Sequence, residues 1–98
     1  MTWTMAMIRA KNKEVEHNWF SRGAMKFFNS KVERGVYQGS GGIYFVSSEQ
    51  FLPYDSEPKP RKYSVRQFDP ETGHVNTVNS FNDMTRQDAI NKAKELAK

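Results

Sequence analysis

Two histidines, His17 and His74, and the lack of any cysteine narrow the chemistry this sequence can carry. Glu14-x-x-His17 has the i, i+3 spacing that lets two helical side chains share a metal ion. It occurs once and without the further ligands such a centre needs, so a solvated helix face is the plainer reading and no metal is expected. His74 follows Gly73 at the mouth of a turn. To act as a base it would need an activating neighbour, which spacing does not identify. Without Cys there are no disulfides, no thiol nucleophile and no Cys-ligated zinc.

Gly39-Ser40-Gly41-Gly42 resembles a phosphate cradle or a nucleophile elbow at first sight. A P-loop ends in Gly-Lys-Ser/Thr, and none follows. The elbow places glycines two residues either side of its serine, and the upstream position is Gln38. A backbone nest for an anion stays geometrically open, but a hairpin tip is the simpler role. The carboxylate pairs Asp55/Glu57 and Asp69/Glu71 fall in loop and turn sequence, where acids are expected for local reasons. These residues together point to a non-enzyme without a cofactor.

The strongest contact-forming cluster is basic and aromatic: Tyr54, Lys59, Arg61, Lys62 and Arg66, with Tyr63 beside them. Strand alternation puts Lys62, Ser64 and Arg66 on one face and Tyr63, Val65 and Gln67 on the other. Arg66 has the donor geometry to grip a phosphate or a carboxylate with two bonds. The competing reading is a solvated outer sheet face.

The elements that position this cluster centre on Arg61–Phe81. Asp69-Pro70-Glu71-Thr72-Gly73 supplies the turn between two alternating strands: Pro70 presets φ, and Gly73 accepts a left-handed φ. Upstream, Lys26–Asn29 and Glu33–Gln38 read as short strands, Gly39–Gly42 as a second turn, and Ile43–Ser48 as a further strand. Ile43–Val46 is apolar at successive positions, which places it centrally in the sheet. Leu52–Pro60 holds three of the four prolines and reads as an extended loop. Thr85–Ala97 reads as a helix opened by a Thr85/Asp88 capping box, with Met84 and Ala89 at staple positions. Ala89, Ile90, Ala93, Leu96 and Ala97 form its narrow apolar stripe. Residues 4–23 fit a helix capped by Thr4 and ended by Gly23, with Met5, Ile8, Val15 and Trp19 on one face; a loose extension is the alternative.

The expected architecture is a single α+β domain over 1–98, with a twisted antiparallel sheet of four to five strands. The C-terminal helix packs on one face, and the N-terminal helix or extension (1–24) covers an edge or shares that face with it. Residues 25–98 hold the sheet and C-terminal helix. Ninety-eight residues suit one modest core, and its bulk is aromatic: seven Phe, four Tyr and two Trp against leucines only at 52 and 96. The net charge of +4 is spread thinly, with four Lys/Arg against two acids in 1–24, four against four in 25–60 and seven against five in 61–98. Nucleic-acid contact is permitted by that balance but not demanded. No apolar run reaches membrane-spanning length and the start lacks a signal-peptide pattern, so a cytoplasmic protein is expected.

Two resemblances attach to these residues. Tyr63–Gly73, Phe81 and Thr85-Arg86-x-x-Ala89 resemble the AP2-like arm-binding domain of tyrosine integrases, which implies a three-stranded sheet laid into the DNA major groove. The strand after the turn, His74–Ser80, carries no Lys or Arg, where such arms are usually basic. From Met25 onward, the runs KFFNSKV, YFVSSEQF and RKYSVRQFDPETG and the Ala-rich helix resemble small proteins of bacteriophages and mobile elements. That likeness implies an anti-CRISPR-like inhibitor of a host defence system, whose partner is a host complex that handles nucleic acid. The alternatives are a small DNA-binding regulator and a sponge for an anionic nucleotide signal. A strand edge open to pairing also allows a homodimer.

Overall fold

The computed structural model describes residues 2–16, 20, 31–50, 61–80 and 85–98. The chain forms helix α1 (Met5–Glu14), strands β1 (Lys31–Gly39), β2 (Gly42–Glu49), β3 (Lys62–Phe68) and β4 (Val75–Ser80), and helix α2 (Arg86–Ala97). The strands make one antiparallel meander in the order β1-β2-β3-β4. The α+β architecture thus matches the sequence reading. The expected strand at 26–29, the loop at 52–60, and the roles given to His17, Trp19, Gly23 and Met84 lie outside the described residues.

Strand β2 is the spine. Tyr44 to Ser48 are all buried, and side-chain alternation sends them to opposite faces. Tyr44 and Val46 join Val65 and helix α2 on one face. Ile43 and Phe45 join Phe68, Val75 and Ile8 of helix α1 on the other. The sheet therefore sits between two helices, a three-layer sandwich in miniature.

Helix α2 seats itself through small residues. Ala89 and Ala93 are fully buried and Ala97 and Ile90 nearly so, and with so little side chain between them the helix axis can approach the sheet closely. The capping box forms as read: Asp88 N–H donates to Thr85 Oγ1 at 3.1 Å, and Thr85 N–H donates to Asp88 Oδ2 at 3.3 Å. Both helix ends are fastened to β1 or its turn. Arg86 Nε donates to Glu33 at 2.8 Å, and Gly41 N–H donates to the Ala97 carbonyl at 3.2 Å. Glu33 lies in a β1 bulge, where the register slips between Val32 and Val36. The Glu33 bond raises the Arg86 pKa further above its ordinary value.

Helix α1 departs from expectation in two ways. It ends at Glu14 rather than near Gly23: Val15 N–H closes on the Lys11 carbonyl, Glu16 N–H on that of Lys13, and Glu16 takes a left-handed φ of 58°. It also lies on the face opposite α2 rather than over an edge or beside it. The reason is the second apolar row, Ile43, Phe45, Phe68 and Val75, which has to be covered and which α2 cannot reach. Ten residues of helix span about 15 Å, close to the width of four strands spaced about 4.8 Å apart. The helix accordingly crosses the sheet at the end where both hairpin turns lie. At its start, the Gln38 side chain accepts from Trp3 N–H at 2.8 Å and donates to the Trp3 carbonyl at 2.9 Å. Near its end, buried Asn12 donates to the Gly73 carbonyl at 2.9 Å.

Candidate functional site

The end of the sheet away from the turns, on the face that α1 occupies, is polar. Register places Ser47 opposite Ser64, Glu49 opposite Lys62, Phe45 opposite Arg66, and Arg66 opposite Thr77. Lys62, Ser64 and Arg66 therefore share a face, as alternation predicts, with Ser47, Glu49 and Thr77 around them. Of the sequence cluster, Lys62 and Arg66 meet here. Tyr54 and Lys59 lie outside the described residues.

Arg66 is the centre of the site. Its Nε donates to Ser47 Oγ at 2.9 Å, its Nη2 to Glu49 Oε1 at 2.8 Å, and its Nη1 to Thr77 Oγ1. The guanidinium bridges three strands, and only 13 % of the side chain is exposed, against 24 % for Glu49. Its charge is compensated within the chain, and its fork is fixed in one orientation. That arrangement makes a rigid, nearly neutral polar plate rather than an open anion clamp. Sequence reasoning found Arg66 but missed its partner, because Glu49 lies one strand away and cross-strand register cannot be read from spacing.

Arg61 is partly exposed. Its Nη1 donates to both the carbonyl (3.2 Å) and the hydroxyl (2.9 Å) of Ser48, which ties the start of β3 to β2. Lys62 is exposed. Of the predicted cluster, Lys62 and Arg66 share β3, Arg61 directly precedes it, and the three do different work. Lys62 offers charge to solvent, whereas Arg61 and Arg66 hold strands together.

The Gly39–Gly42 segment is a hairpin tip, and the helix α2 C-terminus rests on it. Gly41 N–H already bonds Ala97, and Cβ atoms at Gly39 or Gly41 would overlap the carbonyl oxygens of Ala97 or Leu96. Beside this tip an open hollow of about 440 Å³ is walled by Gly39, Ser40, Ile43, Gln67, Phe68 and Asp69. The Asp69 carboxylate accepts from Glu71 N–H at 2.9 Å and Thr72 N–H at 3.4 Å. Those backbone bonds, Glu71 first, hold its pKa below the ordinary 3.8. An ionised carboxylate in the wall opposes binding of an anion there.

Among the described residues no group of three or more His, Cys, Asp or Glu is placed to hold a metal ion. Nor is any helix among them long and apolar enough to cross a membrane. No curated protein and no solved structure matches the chain. The model of a family of unknown function, DUF7447, matches residues 4–94, from the Thr4 cap through most of α2. The chain belongs to that DUF7447 family.

Proposed function

We propose that the protein is a non-enzymatic binding protein that occupies a nucleic-acid-handling protein of a bacterial host, in the manner of a phage-encoded, anti-CRISPR-like defence inhibitor. The reading rests on the Arg66 network. The arginine best placed to meet a phosphate is instead bonded to Glu49, Ser47 and Thr77. What it supports is a stiff, mixed-polarity strip bordered by Lys62, the kind of surface that matches a protein partner of complementary polarity. The AP2-like alternative requires a sheet face laid against DNA, and here each face carries a helix.

The test is to mix the purified chain with purified nucleic-acid-handling proteins of candidate defence systems, CRISPR effectors first. A stoichiometric complex that loses activity, weakened by Lys62→Glu with the fold intact by circular dichroism, bears the reading out. If none is bound, and duplex DNA shifts at low salt with an affinity that falls steeply as salt rises, the regulator reading replaces it. Binding of neither overturns both.

A further inference from the structure

The two outer strands of the meander differ in kind. Strand β1 carries Lys31, Glu33 and Arg34, and its register is broken by a bulge between Val32 and Val36. Charges and bulges are standard protections against edge-to-edge pairing. Strand β4, Val75-Asn76-Thr77-Val78-Asn79-Ser80, carries no charge and no proline. Among the described residues nothing pairs with its outer side. Its register with β3 is regular from Val75 to Thr77 and slips only at Val78.

The direction of its open groups follows from the turn. Asp69 N–H donates to the His74 carbonyl at 3.0 Å. Alternation along an antiparallel pair then turns the main-chain N–H and C=O of Val75 and Thr77 away from β3. Asn76 lies between them with its side chain exposed.

We infer that β4 is a self-pairing edge: two copies of this chain join antiparallel about a two-fold axis beside Asn76, making one continuous sheet. Val75 of each copy then exchanges both main-chain bonds with Thr77 of the other, and Asn76 faces its own symmetry mate. Composition argues for a second copy over an unrelated strand. In a two-fold pairing the residue on the axis meets its own kind, so any charge there would oppose itself. A strand meeting a different partner has no such constraint, and the charged β1 shows that this sheet does not avoid charge on an edge in general. The pairing also brings Val78, 40 % exposed, beside the partner's turn.

The inference does not depend on the proposed target. It is tested on the full chain by sedimentation velocity from micromolar to millimolar concentration. The expected species grows from 11.4 kDa to twice that mass. Because each copy carries +4, the dimer should tighten or hold as salt rises, the reverse of nucleic-acid binding. Asn76→Lys or Asn76→Glu alone should weaken it by about tenfold or more through like charge across the axis. An equimolar mixture of the two should recover it, which rules out misfolding as the cause. A chain that stays at 11.4 kDa at millimolar concentration overturns the inference. So does a dimer indifferent to both substitutions, or a mixture that fails to recover.

Discussion

Gly41→Ala tests how α2 is seated, because two effects of opposite sign compete at one atom. Replacing a glycine by alanine in an unobstructed turn of ordinary φ stabilises a protein by about 0.4–1 kcal/mol through the unfolded chain. At Gly41 the new Cβ would overlap the Leu96 carbonyl oxygen and stand 2.8 Å from that of Lys98. These are backbone atoms and cannot rotate aside. The neighbouring Gly42 is already held at φ 126°, which leaves the turn little room to shift. Relief therefore comes from lifting the last turn of α2. That forfeits the Gly41–Ala97 hydrogen bond, about 1 kcal/mol. It also uncovers Ala97 and part of Leu96, a further 1–2 kcal/mol or so. The expected net loss is about 2 kcal/mol, which in a domain of this size lowers Tm by about 8–16 °C. Urea denaturation followed by circular dichroism measures it. The decisive control shortens the chain after Glu95, which removes the obstructing carbonyls: Gly41→Ala should then be neutral or slightly stabilising. A full-length Gly41→Ala protein as stable as its parent, or a loss that persists unchanged in the shortened chain, would refute this account of the seating.

The other predictions concern single contacts. Asn12→Ala leaves the Gly73 carbonyl without its buried donor and should cost about 1–3 kcal/mol in urea denaturation. Arg66→Ala strands Glu49, three-quarters buried, and should cost about 3 kcal/mol; Glu49→Gln with Arg66 retained should lose less, because its amide oxygen can still accept. The Asp69 pKa is depressed in the folded state, so its contribution is present above the ordinary 3.8 and lost as pH falls through the lower folded value. An acid titration should show the stability gap between the parent and Asp69→Asn closing across that interval, and a gap constant with pH would contradict the assignment. Thr85→Ala removes the α2 cap and should cost about 1 kcal/mol, seen as a fall in Tm.

Local features of the fold were legible in the sequence, because their causes lie within a few residues. The Thr85/Asp88 box, the alanine stripe, the Asp69–Gly73 turn and the double-sided burial of Tyr44–Val46 all depend on near neighbours. Contacts that close across the chain were not legible. Asn12 sits in the middle of an otherwise apolar helix face because a carbonyl 61 residues away needs a donor, and no periodicity in residues 4–23 signals that. The early end of α1 follows the same logic, since its length is set by the width of a sheet not yet visible in those residues. In the candidate site, Lys62, Ser64 and Arg66 were rightly placed on one face. The compensation of Arg66 by Glu49 was hidden, because it depends on which strand neighbours which. In the sequence Gly39 and Gly41 read as turn formers. Their second task, making room for a helix end, is visible only once that helix is docked.

The clamp between Gln38 and Trp3 has a consequence for the order in which the molecule comes apart. One side-chain amide imitates a peptide group and holds the leading segment as a neighbouring strand would, but with a single rung. Beyond it, among the described residues, α1 is anchored by Met5 and Ile8, by Asn12 and by the ring of Trp3 against Phe68 at 4.9 Å. A ten-residue helix whose buried residues are Ile8 and Asn12 should lift as a unit while the meander and α2 stay intact. In hydrogen exchange the amides of α1 should trade with solvent well before those of β2. Gln38→Ala should widen that interval without touching the protection of the sheet interior.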